Sequence, residues 1–346
     1  MTTQPEPGDG RSDPNLSAIM SERRHLINLA YRLLGSLSDA EDVVQETYVR
    51  WYAMPRQRQD AVGSPGAWLT TVAGRICLDL LGSARARRER YVGEWIPEPL
   101  PDPAEWTPGP SDGTAADPAD RVTLDESVSM AFLVVLESMT PAERVAFVLH
   151  DVFRYSFAEV AATVGRTPAA CRQLASSARR RLRAAQASTA PAARQAGVVR
   201  DFKRAWEAKD IDALIGLLDP GATAITDGGG LASAGLRPIE GSEQIVRYIL
   251  AVAGTAPAMT ILERTVNGRP GLVAQQGGVT VTVTAFDVAG DRITRIWAVR
   301  NPDKLRPWTA GPRQHPGVPG EDPAAHPSGP APFTAPPGGT AAVRET

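Results

Sequence analysis

The spacing of apolar and polar positions divides the chain into two helical stretches and one mixed stretch. Apolar residues recur at helical spacing over 16–91 and again over 120–187. Beyond them the pattern predicts one helix over 198–218, another over 242–253, and strands between 271 and 300, where valine alternates with threonine. We therefore predict a multidomain chain, with two all-α domains followed by an α+β domain.

Several helix starts in the first two stretches carry capping signals. Ser/Thr-x-x-Glu patterns beginning at Ser38, Thr140 and Ser156 predict capping boxes. Ser64 and Thr167 each precede a proline, which is favoured at the first helical position. These signals indicate where helices begin and carry no function by themselves.

Segments rich in proline, glycine or acidic residues flank the three stretches. We expect a disordered N-terminus over 1–15, an acidic Pro-rich linker over 92–119, a short linker over 188–197, the α+β domain over 198–308 and a disordered tail over 309–346. The chain has no run of about 18 apolar residues, and its polar start lacks the features of a signal peptide. We therefore expect a cytoplasmic protein with no membrane partner.

Cysteine and histidine usage argues against several classes of site. The two cysteines, Cys77 and Cys171, are far apart, and the four histidines are scattered. We therefore expect neither a disulfide framework nor a metal site, and no cofactor. The net charge of −2 gives no sign of nucleic-acid binding over the whole chain. The arginines, however, are clustered at two places.

One arginine cluster lies on a predicted helix-turn-helix. Ser156 begins a helix with apolar positions at i, i+3, i+4 and i+7, Gly165 ends it, and Thr167 opens a second helix with many arginines. A basic solvated helix in an ordinary bundle is the alternative, which the capped helix-Gly-helix spacing makes weaker. Recognition helices read base edges near their start and hold phosphates with arginines. The base-reading candidates are Arg172, Gln173 and Ser176, and the phosphate candidates are Arg166, Arg179 and Arg180.

The first helical stretch combines an acidic face with the second arginine cluster. Residues 39–48 divide into an apolar side and an acidic side, and acid on a DNA-binding protein suggests a protein partner. The next helix, capped at Ser64, buries an apolar stripe and continues into the second basic cluster, which includes Arg85, Arg87 and Arg88.

The run Tyr31-Arg32-Leu33-Leu34-Gly35 followed by residues 39–48 resembles region 2 of the extracytoplasmic-function sigma factors, and the helix-turn-helix resembles their region 4. The resemblance implies that region 2 docks on the β′ clamp helices of core RNA polymerase and melts the −10 element of promoter DNA, while region 4 reads the −35 element. It implies polymerase contacts at Asp39, Glu41, Asp42 and Glu46. It implies −10 contacts at Arg75, Arg85, Arg87 and Arg88.

The recognition helix departs from the general pattern of that family. It has Ala170 and Leu174 where the pattern has Thr and Arg. A promoter sequence therefore cannot be transferred from distant relatives.

Three further motifs resemble a subgroup of these factors with a fused SnoaL-like (NTF2-like) domain. They are Trp95-Ile96-Pro97-Glu98-Pro99, Asp227-Gly228-Gly229-Gly230 and Asn301-Pro302-Asp303-Lys304-Leu305. The resemblance covers roughly residues 16 to 308. It implies an α+β cone that controls activity in cis. From these motifs we predict a regulatory interface made by Trp95, Pro97, Glu98, Pro99, Asp227, Gly228, Gly229 and Gly230.

Two other functions stay open at this point. Enzymes of this fold line a pocket with acid/base groups, so a cyclase- or isomerase-like enzyme tethered to a DNA-binding module is one alternative. Residues 198–308 contain no histidine or cysteine, and Asp227 begins a glycine run typical of a turn, so we expect no catalytic residue. An unknown small molecule in the pocket remains open. A polymerase-independent repressor is the other alternative, but the sequence has no clear dimerisation helix.

Overall fold

The computed structural model describes residues 19–88, 91–102, 105, 122–185, 190–255 and 259–308. These ranges cover most of the three predicted domains. The predicted terminal segments, 1–15 and 309–346, lie outside the described residues, as does much of the predicted linker.

The helical half of the chain forms one packed body. Its first helices are α1 (Arg23–Leu34), α2 (Leu37–Tyr52), α3 (Arg56–Asp60) and α4 (Pro65–Arg88). The next are α5 (Met130–Glu137), α6 (Pro141–Phe147), α7 (Phe157–Val164) and α8 (Pro168–Ala185), with a π-helical turn, Val148–Val152, after α6. One apolar core runs from Leu26 in α1 to Cys171 in α8. The two predicted all-α units therefore pack against each other.

Local capping chemistry explains most of these helix starts. Thr140 and Ser156 form the predicted capping boxes with Glu143 and Glu159. Gly165 ends α7 with φ +70°, a conformation that glycine adopts without strain.

The prediction that Ser38 caps α2 is wrong. The N-cap is Ser36, whose hydroxyl accepts the N–H of Asp39 at 3.2 Å. The N–H of Leu37 donates to the Glu98 carboxylate at 2.6 Å. The chain enters the helix two residues early because a distant residue satisfies its first free N–H group.

The C-terminal domain is a mixed sheet with helices. Its helices are α9 (Ala192–Ala208), α10 (Ile211–Leu217) and α11 (Ser242–Thr255). Its strands are β1 (Leu218–Asp227), β2 (Ile239–Glu240), β3 (Met259–Val266), β4 (Arg269–Gln276), β5 (Val279–Ala289) and β6 (Arg292–Val299). The strand order is β2-β1-β6-β5-β4-β3, with β1 parallel to β6 and the other pairs antiparallel. The predicted α+β architecture is confirmed.

The single helix predicted over 198–218 is two helices. Lys209 adopts φ +55° and ends α9. Asp210 then caps α10 by accepting the N–H of Ala213 at 3.0 Å. Leu218 already belongs to β1. Because apolar spacing continues across the break, periodicity alone did not reveal it.

The sheet buries apolar side chains on both faces. One face packs against the helices of its own domain through residues such as Phe202 and Phe286. The other face forms a separate core in which Trp297 packs with Ile96 of the linker and Met130 of α5. The helical half and the linker therefore cover one side of the sheet.

Candidate DNA-binding and interdomain surfaces

Helices α7 and α8 form the predicted helix-turn-helix. Most of their predicted inward positions are buried, and Phe157 and Leu182 are partly buried: the buried ones are Val160, Ala161, Val164, Cys171, Ala175 and Ala178. One open groove of about 500 Å³ lies between α8 and Glu143 of α6, and four predicted −35 residues line it: Arg166, Gln173, Ser176 and Arg180. The fold thus brings base-reading and phosphate-binding candidates onto one accessible face.

Two other −35 candidates have partners within the chain. The Arg172 guanidinium lies 5.1 Å from the centre of the Phe157 ring. Arg179 donates from Nε and Nη2 to the two carboxylate oxygens of Asp151, at 2.7 and 3.1 Å. Arg179 must exchange this bidentate pair for a phosphate in order to contact DNA.

The predicted −10 residue Arg75 contacts the helix-turn-helix. Its Nη2 donates to the carbonyl oxygen of Ala162 in α7 at 2.8 Å. Next to it, a Cβ added to Gly74 would lie 2.6 Å from Cγ2 of Thr163, so α4 and α7 approach closely only because Gly74 has no side chain. The side chains of Arg85, Arg87 and Arg88 lie outside the described part of the chain.

Helix α2 carries the four predicted polymerase contacts, Asp39, Glu41, Asp42 and Glu46. Its other side buries Val44 and Trp51. Asp42 and Glu46 are exposed, and Glu46 accepts from Arg50 at 2.8 Å. This pairing neutralises part of the acidic face without burying it. The face is open to a protein partner.

The linker lies on the turn between α1 and α2. Glu98 donates its N–H to the Gly35 carbonyl at 2.8 Å, and its own carbonyl accepts from the Tyr31 hydroxyl at 2.7 Å. A Cβ on Gly35 would lie 2.9 Å from the Trp95 ring, which explains a glycine here. Burial raises the pKa of Glu98 to about 7 even though the Leu37 N–H stabilises the ionised form.

Asp227, at the end of β1, holds the linker from the other side. It is fully buried. Its Oδ1 accepts from the Tyr91 hydroxyl at 2.7 Å, and its Oδ2 accepts from the Ile96 N–H at 3.0 Å and from Lys304 Nζ at 2.7 Å. Lys304 also lies 4.1 Å from the centre of the Trp95 ring. The residues of the three motifs therefore meet at one buried carboxylate.

The glycine run after Asp227 allows close backbone packing. A Cβ on Gly228 would overlap the Ala232 carbonyl, and one on Gly229 would overlap the side-chain amide of Asn301. Gly230 adopts φ +73°, and a Cβ there would lie 3.2 Å from Cβ of Val92 in the linker. This run contacts the linker, while its regulatory role stays a prediction.

Comparison with known proteins identifies the family. Residues 18–87 match the family model of Sigma-70 region 2, and residues 129–182 match that of Sigma-70, region 4. The ECF RNA polymerase sigma factor SigJ of Mycobacterium tuberculosis (strain ATCC 25618 / H37Rv) is 39% identical over 82% of this chain and 90% of the relative. The chain belongs to the extracytoplasmic-function sigma factors.

Other relatives of this sigma factor agree in length and fold. The probable ECF RNA polymerase sigma factor SigI of the same organism is 35% identical over 86% of this chain and 97% of that protein. The crystal structure of M. tuberculosis SigJ superposes with a TM-score of 0.65 at 35% identity, covering 84% of this chain and 98% of the other. Helical sigma domains followed by a C-terminal domain of helices and a mixed sheet are therefore the architecture that this chain shares with that structure.

Two buried arginines, to which the sequence analysis assigned no contact, join the regions of this sigma factor. Arg32 donates to the Thr123 carbonyl at 3.0 Å and to Asp125 at 3.1 Å. Arg144 donates from α6 to the Leu33 carbonyl at 2.9 Å. In the sequence, the signal for these contacts was an arginine within a run of apolar helical positions.

Among the residues that the structure describes, no helix of the sigma factor combines the length and the apolar character that crossing a bilayer requires.

Proposed function

We propose that the C-terminal domain controls this sigma factor in cis, by holding regions 2 and 4 against each other until the factor engages core RNA polymerase at a promoter. The single observation that carries this proposal is the contact between α4 and α7, where Arg75 donates to the Ala162 carbonyl.

The spacing of promoter elements makes this contact informative. The −10 and −35 elements lie about 25 base pairs apart, which at 3.4 Å per base pair is roughly 85 Å. Helix α8 itself spans only about 27 Å. Regions 2 and 4 cannot occupy both elements while α4 and α7 touch, so the described arrangement is a closed state that must open.

The contacts of the linker support a role for the C-terminal domain in keeping the state closed. Ile96 is buried between the sheet and α5, and Asp227 binds its N–H. Two residues further on, Glu98 binds the start of α2. A stretch of three residues thus couples the sheet to region 2.

In the open state we assign promoter and polymerase contacts as the sequence predicts. Region 4 contacts the −35 element through Arg166, Arg172, Gln173, Ser176, Arg179 and Arg180. The acidic face of α2 contacts core polymerase, and Arg75 reaches the −10 element once α7 releases it. Much of the DNA affinity is electrostatic and therefore falls with salt. A factor that works with core polymerase acts in the cytoplasm.

We assign no enzymatic activity to the C-terminal domain. Both oxygens of Asp227 already accept hydrogen bonds, including one from Lys304, so this carboxylate is a poor general base. The apolar side chains of Phe202, Ile245 and Phe286 pack between the sheet and its helices. A small-molecule ligand of this domain stays a prediction.

The test is transcription with purified core polymerase. The full chain should give promoter-specific transcripts. A stop codon at Gly197, which removes most of the C-terminal domain, and Trp95→Ala, which disrupts the linker contact, should each change their yield. Unchanged yield from both variants would reject control in cis. Absence of promoter-specific transcripts from every form would reject the promoter assignment.

A further inference from the structure

The turn between β3 and β4 contacts α1 of region 2, the linker and the segment that leads into region 4. Asn267 is fully buried in this turn. Its Nδ2 donates to the Tyr31 hydroxyl at 2.9 Å and to the Val128 carbonyl at 2.8 Å, and its Oδ1 accepts the N–H of Leu100 at 2.9 Å. Its backbone N–H donates to the Leu100 carbonyl at 2.9 Å. One amide thus links α1, the linker and the segment that leads into α5.

The sequence of the turn explains its shape. Asn267 and Gly268 adopt φ +51° and +71°, the left-handed pair that a two-residue type I′ hairpin requires, and Asn-Gly is favoured there. A Cβ on Gly268 would lie 3.6 Å from Cβ of Leu124, so the tip of the hairpin packs against the chain before region 4. The strand pair β3–β4 therefore presents Asn267 on a rigid support.

The linker also pairs with the edge of β3 next to this turn. Pro101 forms an isolated antiparallel bridge with Val266. The Glu105 carboxylate accepts the N–H and the hydroxyl of Thr265 at 2.7 and 2.6 Å. These contacts align the linker with the sheet, so that Leu100 meets Asn267.

The buried position makes the amide costly to disrupt. Both protons of Nδ2 and the oxygen Oδ1 have partners, and Tyr31 is fully buried as well. Removing the amide takes one hydrogen bond from each of these buried partners, and the Tyr31 hydroxyl keeps only its bond to the Glu98 carbonyl among those described. Because the group is neutral, its contribution should vary little with salt, unlike that of an ion pair.

We propose that the Asn267–Gly268 turn is a latch that keeps regions 2 and 4 closed. Opening moves Tyr31 and Val128 apart, and one amide cannot remain bonded to both. The latch lies at the opposite end of the linker segment from the Asp227 contact, so it can be tested separately. The inference rests on the proposed control in cis and assigns one of its contacts.

The experiment measures the distance between the regions in the full-length protein. Spin labels are placed at the exposed positions Val49 in α2 and Arg183 in α8, while the two native cysteines are buried. Asn267→Gly removes the amide and still allows positive φ. We expect the fraction of molecules with long distances to rise at least about fivefold.

A matched control lies in another turn of the same sheet. The Asp291 side chain, between β5 and β6, is 82% exposed and pairs with Arg194 of the same domain. Asp291→Gly should leave the distance distribution unchanged. Equal opening in both variants would overturn the latch, because any weakened hairpin would then have the same effect.

A second variant changes Tyr31, the partner of Asn267 in α1. Tyr31→Phe removes the hydroxyl that accepts from Asn267 and donates to the Glu98 carbonyl, and it leaves the bonds of Asn267 to Val128 and Leu100 in place. It should open the chain less than Asn267→Gly. The double variant should open it less than the two effects added together. Hydrogen exchange of β5 and β6 amides should stay at the wild-type level, since the latch holds the regions and not the sheet. Loss of that protection, or unchanged distances in both variants, would overturn the latch.

The truncated chain separates this inference from the proposed function. If truncation at Gly197 opens the chain and Asn267→Gly does not, the latch is wrong and control in cis stands. If truncation leaves the regions closed, both are wrong.

Discussion

Lys304 and Asp227 form a buried ion pair, with 2.7 Å between Nζ and Oδ2, where the linker crosses the end of β1. Their side chains are 7% and 0% exposed. Removing Asp227 leaves the Lys304 ammonium buried without its carboxylate counter-charge, which costs more than the pair contributes, although the Ile96 carbonyl still accepts from it.

We therefore expect Asp227→Ala to lower the free energy of unfolding by about 3–5 kcal/mol in urea denaturation. The additional change to methionine at Lys304 should restore part of the loss. The exposed pair Arg247–Glu243 is the control, and Glu243→Ala should cost less than about 1 kcal/mol. Equal losses at the buried and exposed pairs would contradict the argument.

Two glycines of α4 give a paired test of the closed state. Gly82 has nothing within 4 Å of an added Cβ, so Gly82→Ala should raise the free energy of unfolding by about 1 kcal/mol through helix propensity. The same change at Gly74 meets Thr163, so it should push α7 away and lengthen the distance between regions 2 and 4. Spin-label distances and urea denaturation measure both effects. Equal behaviour of the two variants would show that α4 and α7 do not pack as described.

Within the proposed promoter contacts, base reading and phosphate binding should separate in competition assays with holoenzyme. Gln173→Ala should relax preference at one −35 position by about 1–3 kcal/mol. Arg180→Ala should weaken binding to all sequences and reduce the slope of log affinity against log salt by about 1. Arg200→Ala, on α9 outside the helix-turn-helix, is the control. A salt slope unaffected by Arg180→Ala would remove this residue from the DNA contact.

The Glu98 carboxyl should make the closed state depend on pH. Its pKa is raised to about 7 in the closed state, from 4.5, mainly by burial. An acid with a raised pKa favours the closed state fully below its ordinary pKa, and that contribution is lost as pH rises through about 7. Lys304 opposes the shift and Asp39 adds to it.

The fraction of closed molecules should therefore fall between pH 5 and pH 7.5 and level off above that range. Glu98→Gln should flatten the curve, because an amide does not ionise. Spin-label distances at each pH provide the measurement. An identical curve in both forms would assign the pH dependence to another group.

The sequence predicted those features that local interactions determine. The helix-turn-helix depends on the caps at Ser156 and Thr167 and on Gly165 between them, all of which lie close together in the chain. The start of α2 depends instead on Glu98, about sixty residues away, so Ser38 was chosen wrongly. No local pattern predicts a distant hydrogen-bond partner.

The linker is a second case in which local sequence patterns do not predict distant contacts. Over residues 92–102 the chain is not helical, as its prolines predict. The sequence predicted an interface for Trp95 to Pro99 but not which surfaces bury Ile96 and Leu100, because those surfaces exist only after the sheet and the helices have assembled. Asn267 was missed for this reason too, since Asn-Gly predicts a hairpin but not what its tip contacts.

The sheet face that covers Ile96 and Met130 also carries Val283, Trp297 and Val299. When the regions part, this apolar surface becomes accessible to water, at a free-energy cost of about 25 cal/mol for each Å² exposed. Exposure of this surface therefore disfavours opening of the sigma factor when no partner is bound. An open molecule without a partner would tend to self-associate through the same surface. The chain should therefore open mainly when another macromolecule binds this apolar face of the sheet in place of the linker and α5.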